Sequence, residues 1–285
     1  MSEHALAAPS YYRPIAAPDG ADPSYEYFVP TEATVSVWSP EIQHGGPPAG
    51  LMMRALIRAA GDDGKAFTRV TTEILGAMGL GVNRVRASIV RPGKRISQVA
   101  ADLEVQAPSG EFRVVARTVA WRIMTGDSTP VEHSPVPPLP AGPDELPQII
   151  GFPDDGEMAV PWGKVGFIGT TVVARQAGRN GQSPAVWIRA AIGLIEGEQM
   201  SPLESIFTVL DVANGVGTRL DPAKWSWMNM DTTVHLVAQP TSPWLGLDAD
   251  LAIGAAGYGA SFADLYDVSG FLGRSAQTDM IAPAG

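Results

Sequence analysis

The sequence predicts an α+β fold built twice in tandem, each half a long helix wrapped by an antiparallel sheet. Two observations in the halves predict it: each carries a largely apolar helical segment, and each follows it with strand-like runs broken at glycine-containing turns. A third observation separates them. Thr129–Pro147, TPVEHSPVPPLPAGPDELP, holds seven prolines and suits neither a helix nor an inner strand. The expected units are therefore 1–128 and 151–285, joined by a semi-extended linker over 129–150.

The composition narrows the class. A 285-residue chain with 45% apolar residues buries a sizeable core, as one large domain or two ordinary ones. A net charge of −10 excludes general nucleic-acid binding, which needs a basic footprint. Without cysteine the chain has no disulfides and no thiolate chemistry, and a cytoplasmic location is expected. The start, MSEHALAAPSYYRP, lacks the basic and apolar regions of a signal peptide, and no apolar run reaches the ~18 residues of a membrane span. His4, His44, His133 and His235 are scattered without ligand spacing, so neither metal nor cofactor is expected.

In chain order, residues 1–30 show no period and are expected to lie over the surface. Ala33–Trp38 reads as a short strand. The turn-rich SPEIQHGGPP leads into AGLMMRALIRAAG, framed as a helix by proline in its first turn and Gly61 past its end. Phe67–Leu75, Asn83–Arg91, Ile96–Ala107 and Glu111–Met124 then form a meander of four strands. The basic cluster Arg84, Arg86, Arg91, Lys94 and Arg95 reads as the solvated face of a strand pair, with phosphate attraction as its functional alternative.

After the linker, strands are expected at Phe167–Arg175 and Ala185–Ile195. Ser201 and Glu204 form a capping box that starts a helix running through Ser201–Gly217. Within its apolar run stands one carboxylate, Asp211, costly unless paired or functional. Strands follow at Trp227–Ala238, Leu245–Ala255, Gly257–Asp267 and Phe271–Ile281. Ala101-Asp102-Leu103 before Ser109-Gly110 is echoed by Ala263-Asp264-Leu265 before Ser269-Gly270. Counting on from the glycines sets Arg117 opposite Gln277, and the echo supports a duplication of about 160 residues.

HGGPPAGLMMRAL, LDVANG, NMDTTVHLVAQPTSPWLGLDA and GRSAQTDM, in this order, resemble the acyl-CoA thioesterase II-like family from about Val35 onward. The resemblance implies a double hotdog fold, hydrolysis of acyl-CoA, and a homo-oligomer, dimer or tetramer. It implies catalytic roles for Asp211 on the second helix and Gln277 on the last strand. Between them Asn229 stands where the family has a Thr-type residue; Thr232 is a nearby hydroxyl that strict alternation places on the opposite face.

Thioester hydrolysis needs a water nucleophile and donors for the carbonyl oxygen. Asp211, Asn229 and Gln277 suit holding one water, with Asp211 accepting its proton. The absence of a GxSxG elbow favours direct attack by water. His44, Gly45 and Gly46, ahead of the first helix, are the candidate substrate-binding residues. With Pro47 and Pro48 lacking N–H groups, the donors there are Gly45, Gly46 and Ala49. Trp38, Trp225, Trp227 and Met228 are candidates for shaping an acyl tunnel or for the core. The alternative function is a double hotdog that binds acyl-CoA without efficient turnover, a reading favoured by the Asn at position 229.

Overall fold

The computed structural model describes residues 8–152, 162–178 and 184–284. The first half contains β1 (Ser10–Ile15), β2 (Glu26–Pro30), α1 (Gly46–Ala60), β3 (Lys65–Ile74), β4 (Asn83–Arg91), β5 (Ile96–Gln106) and β6 (Phe112–Met124). The chain continues through β7 (Gln148–Ile150), β8 (Thr171–Ala177), β9 (Pro184–Ala190), β10 (Gly193–Ile195), α2 (Pro202–Val209) and α3 (Ala213–Gly217). It closes with β11 (Trp225–Asn229), β12 (Asp231–Leu236), β13 (Leu245–Ile253), β14 (Tyr258–Asp267) and β15 (Gly270–Pro283). Among the described residues these strands form one sheet, ordered β10-β1-β2-β4-β5-β6-β3-β12-β15-β14-β13-β9-β8-β7, with β11 also on β15. Its strand pairs are antiparallel except β1 with β10.

The sheet order repeats as the sequence echo requires. β2-β4-β5-β6-β3 on one side is matched by β9-β13-β14-β15-β12 on the other, and β3 meets β12 at the junction. There Thr71 faces Thr233, a residue 162 positions later, with their hydroxyls 3.3 Å apart. At the same offset, Asp102 binds its cross-strand partner Arg117 at 2.6 Å and Asp264 binds Arg274 at 2.7 Å. The counterpart of Arg117 is therefore Arg274. Gln277, opposite Ser261, corresponds to Ala120, opposite Val99. Counting from the turn glycines slips by three because the β5–β6 hairpin is longer than β14–β15.

Both expected helix starts are present. Pro47 and Pro48 occupy the first turn of α1, and Gly61 ends it with a φ of 61°, a conformation open to glycine. Ser201 Oγ accepts from Glu204 N–H while Ser201 N–H donates to Glu204 Oε2 at 2.6 Å, completing the capping box. α1 packs over β4, β5 and β6, α3 over β13 and β14, and α1 and α2 pack on each other. Glycine permits that last contact. A Cβ on Gly46 would strike the main-chain oxygen of Thr208, and one on Gly50, a turn later, would strike the Thr208 side chain. Arg54, 4% exposed, ties α1 to both flanking segments through Glu198 at 2.7 Å and Glu26 at 3.0 Å.

Three expectations are corrected. Tyr11 and Tyr12 are fully buried in β1 and Phe28 in β2, so these two strands contribute core, while residues 13–24 lie on the surface as expected and residues 1–7 lie outside the described residues. Ala33–Trp38 is no strand: Glu32–Thr34 makes a 3-10 turn, and Val35 forms only a single bridge to Gln43 while its carbonyl accepts from Phe167 N–H. The helix expected through Ser201–Gly217 breaks into a 3-10 turn at Leu210–Val212. The Pro-rich segment is docked on the second half, with Val136 and Leu139 buried and Trp187 Nε1–H donating to Ala141 O at 2.8 Å.

Gly46→Ala forces α2 away from α1 because a backbone carbonyl cannot rotate aside. It should destabilise the fold by about 1–3 kcal/mol despite the better helix propensity of alanine. Gly50→Ala, facing a side chain that can turn, should cost less. Urea denaturation of the two variants checks the order.

Candidate active site

The break in the second helix creates the site. Val209 adopts φ −112°, the chain tightens over Leu210–Val212, and α3 follows. In an unbroken helix Asn214 N–H would bond the carbonyl four residues earlier. Here it donates to Gln277 Oε1 at 3.0 Å, while Gln277 Nε2 donates to the main-chain oxygen of Asp211 at 3.3 Å and to Thr232 Oγ1 at 3.0 Å. One side-chain amide thus satisfies the backbone groups that the break releases.

The carboxylate of Asp211, nine-tenths buried, projects toward the start of α1. Its Oδ1 accepts from Asn229 Nδ2 at 2.7 Å, and its Oδ2 lies 3.2 Å from His44 Nδ1. Gly45 must be glycine at this point, since a Cβ there would stand 2.6 Å from Asp211 Oδ2. Gly46 N–H donates to His44 Nδ1 at 3.1 Å, and Ala49 N–H to Gly45 O at 3.0 Å. Of the three expected donors, Gly45 N–H is the one outside those bonds. The His44 ring packs against Phe167 with centroids 4.4 Å apart. Burial pushes its pKa below the usual 6.5, against an opposing pull from the Asp211 carboxylate. As a neutral ring, His44 has a single lone pair on Nδ1, and Gly46 N–H and the Asp211 carboxylate both lie within reach of that one atom.

The structure thus gathers Asp211, Asn229, Gln277, His44, Gly45 and Gly46 at one place. Asn229 reaches the carboxylate, whereas Gln277 reaches the backbone of the same residue. Thr232 joins them, contrary to strict alternation. Asn229 stands opposite Asp279 but Thr233 opposite Ala276, so one extra residue, Met230, is inserted and turns Thr232 to the Asn229 side. β3 has the same irregularity between Phe67 and Arg69, at the duplicated position. Nothing in the amino-acid types at Thr68 or Met230 announces it.

Three supporting residues escaped the sequence reading. Asn214 donates from Nδ2 to Asp279 Oδ1 at 3.1 Å, and Ser261 Oγ donates to Asp279 Oδ2 at 2.7 Å. Burial raises the pKa of Asp279 above 3.8, with these hydrogen bonds opposing and Asp211 adding to the rise. The signal for Asp279 was its position two residues after Gln277, on the same strand face.

Two cavities adjoin the site. A largely enclosed one of ≈20 Å³ is lined by Asp211, Gly45, Thr232 and apolar side chains beneath α1. A more open one of ≈440 Å³ is lined by His44, Asn214, Trp38, Trp162 and Trp227, with Arg175 and Arg219 also on its wall. Trp225, 40% exposed, is not among its lining residues. A larger hollow of ≈720 Å³ lies along β12–β15 among Thr233, His235 and Arg274 and includes none of the gathered residues. The basic cluster is partly neutralised, with Arg84 on Glu104 and Arg86 3.7 Å from Asp102. Among the described residues no group of three or more His, Asp or Glu has an arrangement that holds a metal ion. No helix there is long and apolar enough to cross a membrane.

A long antiparallel sheet carrying few helices is a fold shared with solved structures. A hotdog-fold protein of unknown function from Alicyclobacillus acidocaldarius superposes with a TM-score of 0.66 at 14% identity, covering 93% of this chain and 96% of that one. An acyl-CoA thioesterase II from Mycobacterium marinum gives 0.63 at 14% identity, covering 92% and 94%. At such identities the likeness establishes the hotdog fold. No curated protein matches the sequence. The acyl-CoA thioesterase family models do match, the N-terminal domain over residues 34–123 and the C-terminal domain over 143–281, and the chain belongs to that family.

Replacing Gln277 by leucine should leave Asn214 N–H and Asp211 O buried without partners. We expect a loss of about 2 kcal/mol or more in denaturant unfolding. Because the folded pKa of His44 lies below its ordinary 6.5, its contribution to stability is complete above pH 6.5 and is lost as pH falls toward the folded value. His44→Gln should remove that part of the pH dependence, measured as thermal midpoint against pH.

Proposed function

We propose that the protein is an acyl-CoA thioester hydrolase of double hotdog architecture, with units 1–128 and 151–285 flanking the Pro-rich segment 129–150. Family membership and the repeated strand order support this reading. The observation that carries the chemistry is the Asp211 carboxylate, buried, faced by glycine and set at the N-terminus of α1.

A water held between Asp211 and Asn229 attacks the thioester carbonyl carbon as Asp211 takes its proton, with His44 Nδ1 3.2 Å from the carboxylate. Asn229 donates to Oδ1, which leaves its own oxygen to accept from that water. Gln277 contributes by fixing the broken helix and Thr232. The negative carbonyl oxygen is met by Gly45 N–H and the positive end of α1. The carbon–sulfur bond then breaks, and the thiolate regains the proton from Asp211, giving free acid and coenzyme A. Assembly as a homo-oligomer and a cytoplasmic location belong to the same proposal.

The second reading, binding without efficient turnover, is favoured by one observation: the Asn229 amide engages Asp211 where the family resemblance places a hydroxyl. Thiol release from acyl-CoAs separates the two. Wild type should turn over, and Asp211→Asn, folded by circular dichroism, should fall by roughly 10²-fold or more in kcat. Equal rates in the two proteins would remove Asp211 from the mechanism, and binding without release would favour the second reading.

A further inference from the structure

Asp211 faces the small enclosed cavity, and this has consequences for the substrate. A thioester on Asp211 has two arms to place. The coenzyme A arm is long and charged and must reach solvent, so it requires the more open cavity, whose wall carries Arg175 and Arg219. The acyl arm is apolar and terminates, so it suits the enclosed one.

That cavity is nearly full. Its ≈20 Å³ holds little more than one water-sized group. Met52, Met78, Phe207 and Leu210 crowd it, each at most 5% exposed. Methionine ordinarily adapts to what it meets. Met52, however, is tethered: Thr118 Oγ1 lies 3.3 Å from its sulfur, and Thr118 lies 2.9 Å from Thr72 Oγ1, which lines the same cavity. Two buried hydroxyls on neighbouring strands thus hold the thioether across the space that a longer chain would occupy.

We propose that the acyl site admits only very short groups, acetyl to propionyl in size, and that Met52, positioned by Thr118 and Thr72, sets this limit. The proposal rests on the thioesterase reading of the site. Met52→Ala removes the γ-, δ- and ε-atoms at the blind end, and Thr118→Val releases the tether at nearly constant volume.

The test has two arms. Thiol release is measured for acetyl-, butyryl-, octanoyl- and palmitoyl-CoA with wild type, Met52→Ala and Thr118→Val, each checked for folding. Binding of S-ethyl-CoA and S-octyl-CoA, thioethers that cannot be hydrolysed, is measured by calorimetry on the same proteins. Wild type should favour acetyl- over octanoyl-CoA in kcat/KM, and S-ethyl over S-octyl in affinity, by tenfold or more. Met52→Ala should move both optima to longer chains, and Thr118→Val should move them partway. Octanoyl-CoA hydrolysed as well as acetyl-CoA, S-octyl-CoA bound as tightly as S-ethyl-CoA, failure to bind either thioether, or a folded Met52→Ala with an unchanged profile would each overturn the proposal. Selective S-ethyl-CoA binding without hydrolysis of any thioester would uphold the size limit and refute the thioesterase reading instead.

Discussion

The close approach of α1 and α2 is the constraint on which the site depends. Gly46 and Gly50 lie one turn apart and present no side chain, so Thr208 rests directly on the backbone of α1. Asp211 follows three residues after Thr208 and is thereby delivered to Gly45 and His44. Any side chain at Gly46 would widen the helix pair, and the carboxylate would lose both its glycine face and the positive helix end. Packing density at one helix crossing, set by two missing methyl groups, therefore fixes the electrostatics around Asp211.

A second requirement is that the helix break after contact. An unbroken α-helix through Asp211 would satisfy its own backbone and would need no amide from β15. The 3-10 turn releases Asn214 N–H and the Asp211 carbonyl inside the protein, and Gln277 takes up both. Asp279 and Ser261 in turn hold the Asn214 side chain. The resulting polar network is anchored from helix, strand and turn at once. Such a network resists movement because each buried group has no water to fall back on.

A repeated strand order supplies the frame, and differences between the two halves supply the candidate site. The junction at Thr71 and Thr233 and the irregularities at Thr68 and Met230 recur at one offset, and the cross-strand partners on the last strand of each half recur at a slightly shorter one. At equivalent positions of the repeated strands the polar residues of the second half are replaced in the first: Phe67 stands for Asn229, Val70 for Thr232, and Ala120 for Gln277. The first half buries apolar groups where the second arranges amides. It contributes the glycine turn and the small cavity under α1, so each half supplies what the other lacks.

Local physics determined much of this from the sequence alone. Two prolines and a terminal glycine framed α1, a capping box started α2, and alternation gave four strands of the first half to within two residues at either end. A lone carboxylate in an apolar run marked Asp211. Tertiary structure decided the rest, because the interactions concerned join residues far apart in the chain. The break at Leu210–Val212 depends on an amide more than sixty residues downstream. The position of Thr232 depends on one inserted residue that shifts the face without changing composition. The burial of Tyr11 and Tyr12 depends on β1 lying beside β10, and the size of the small cavity under α1 on where Thr118 holds a sulfur atom. A sequence carries periodicity and caps because these are properties of neighbours; it does not display which distant surfaces meet, and here that meeting assembles the candidate site.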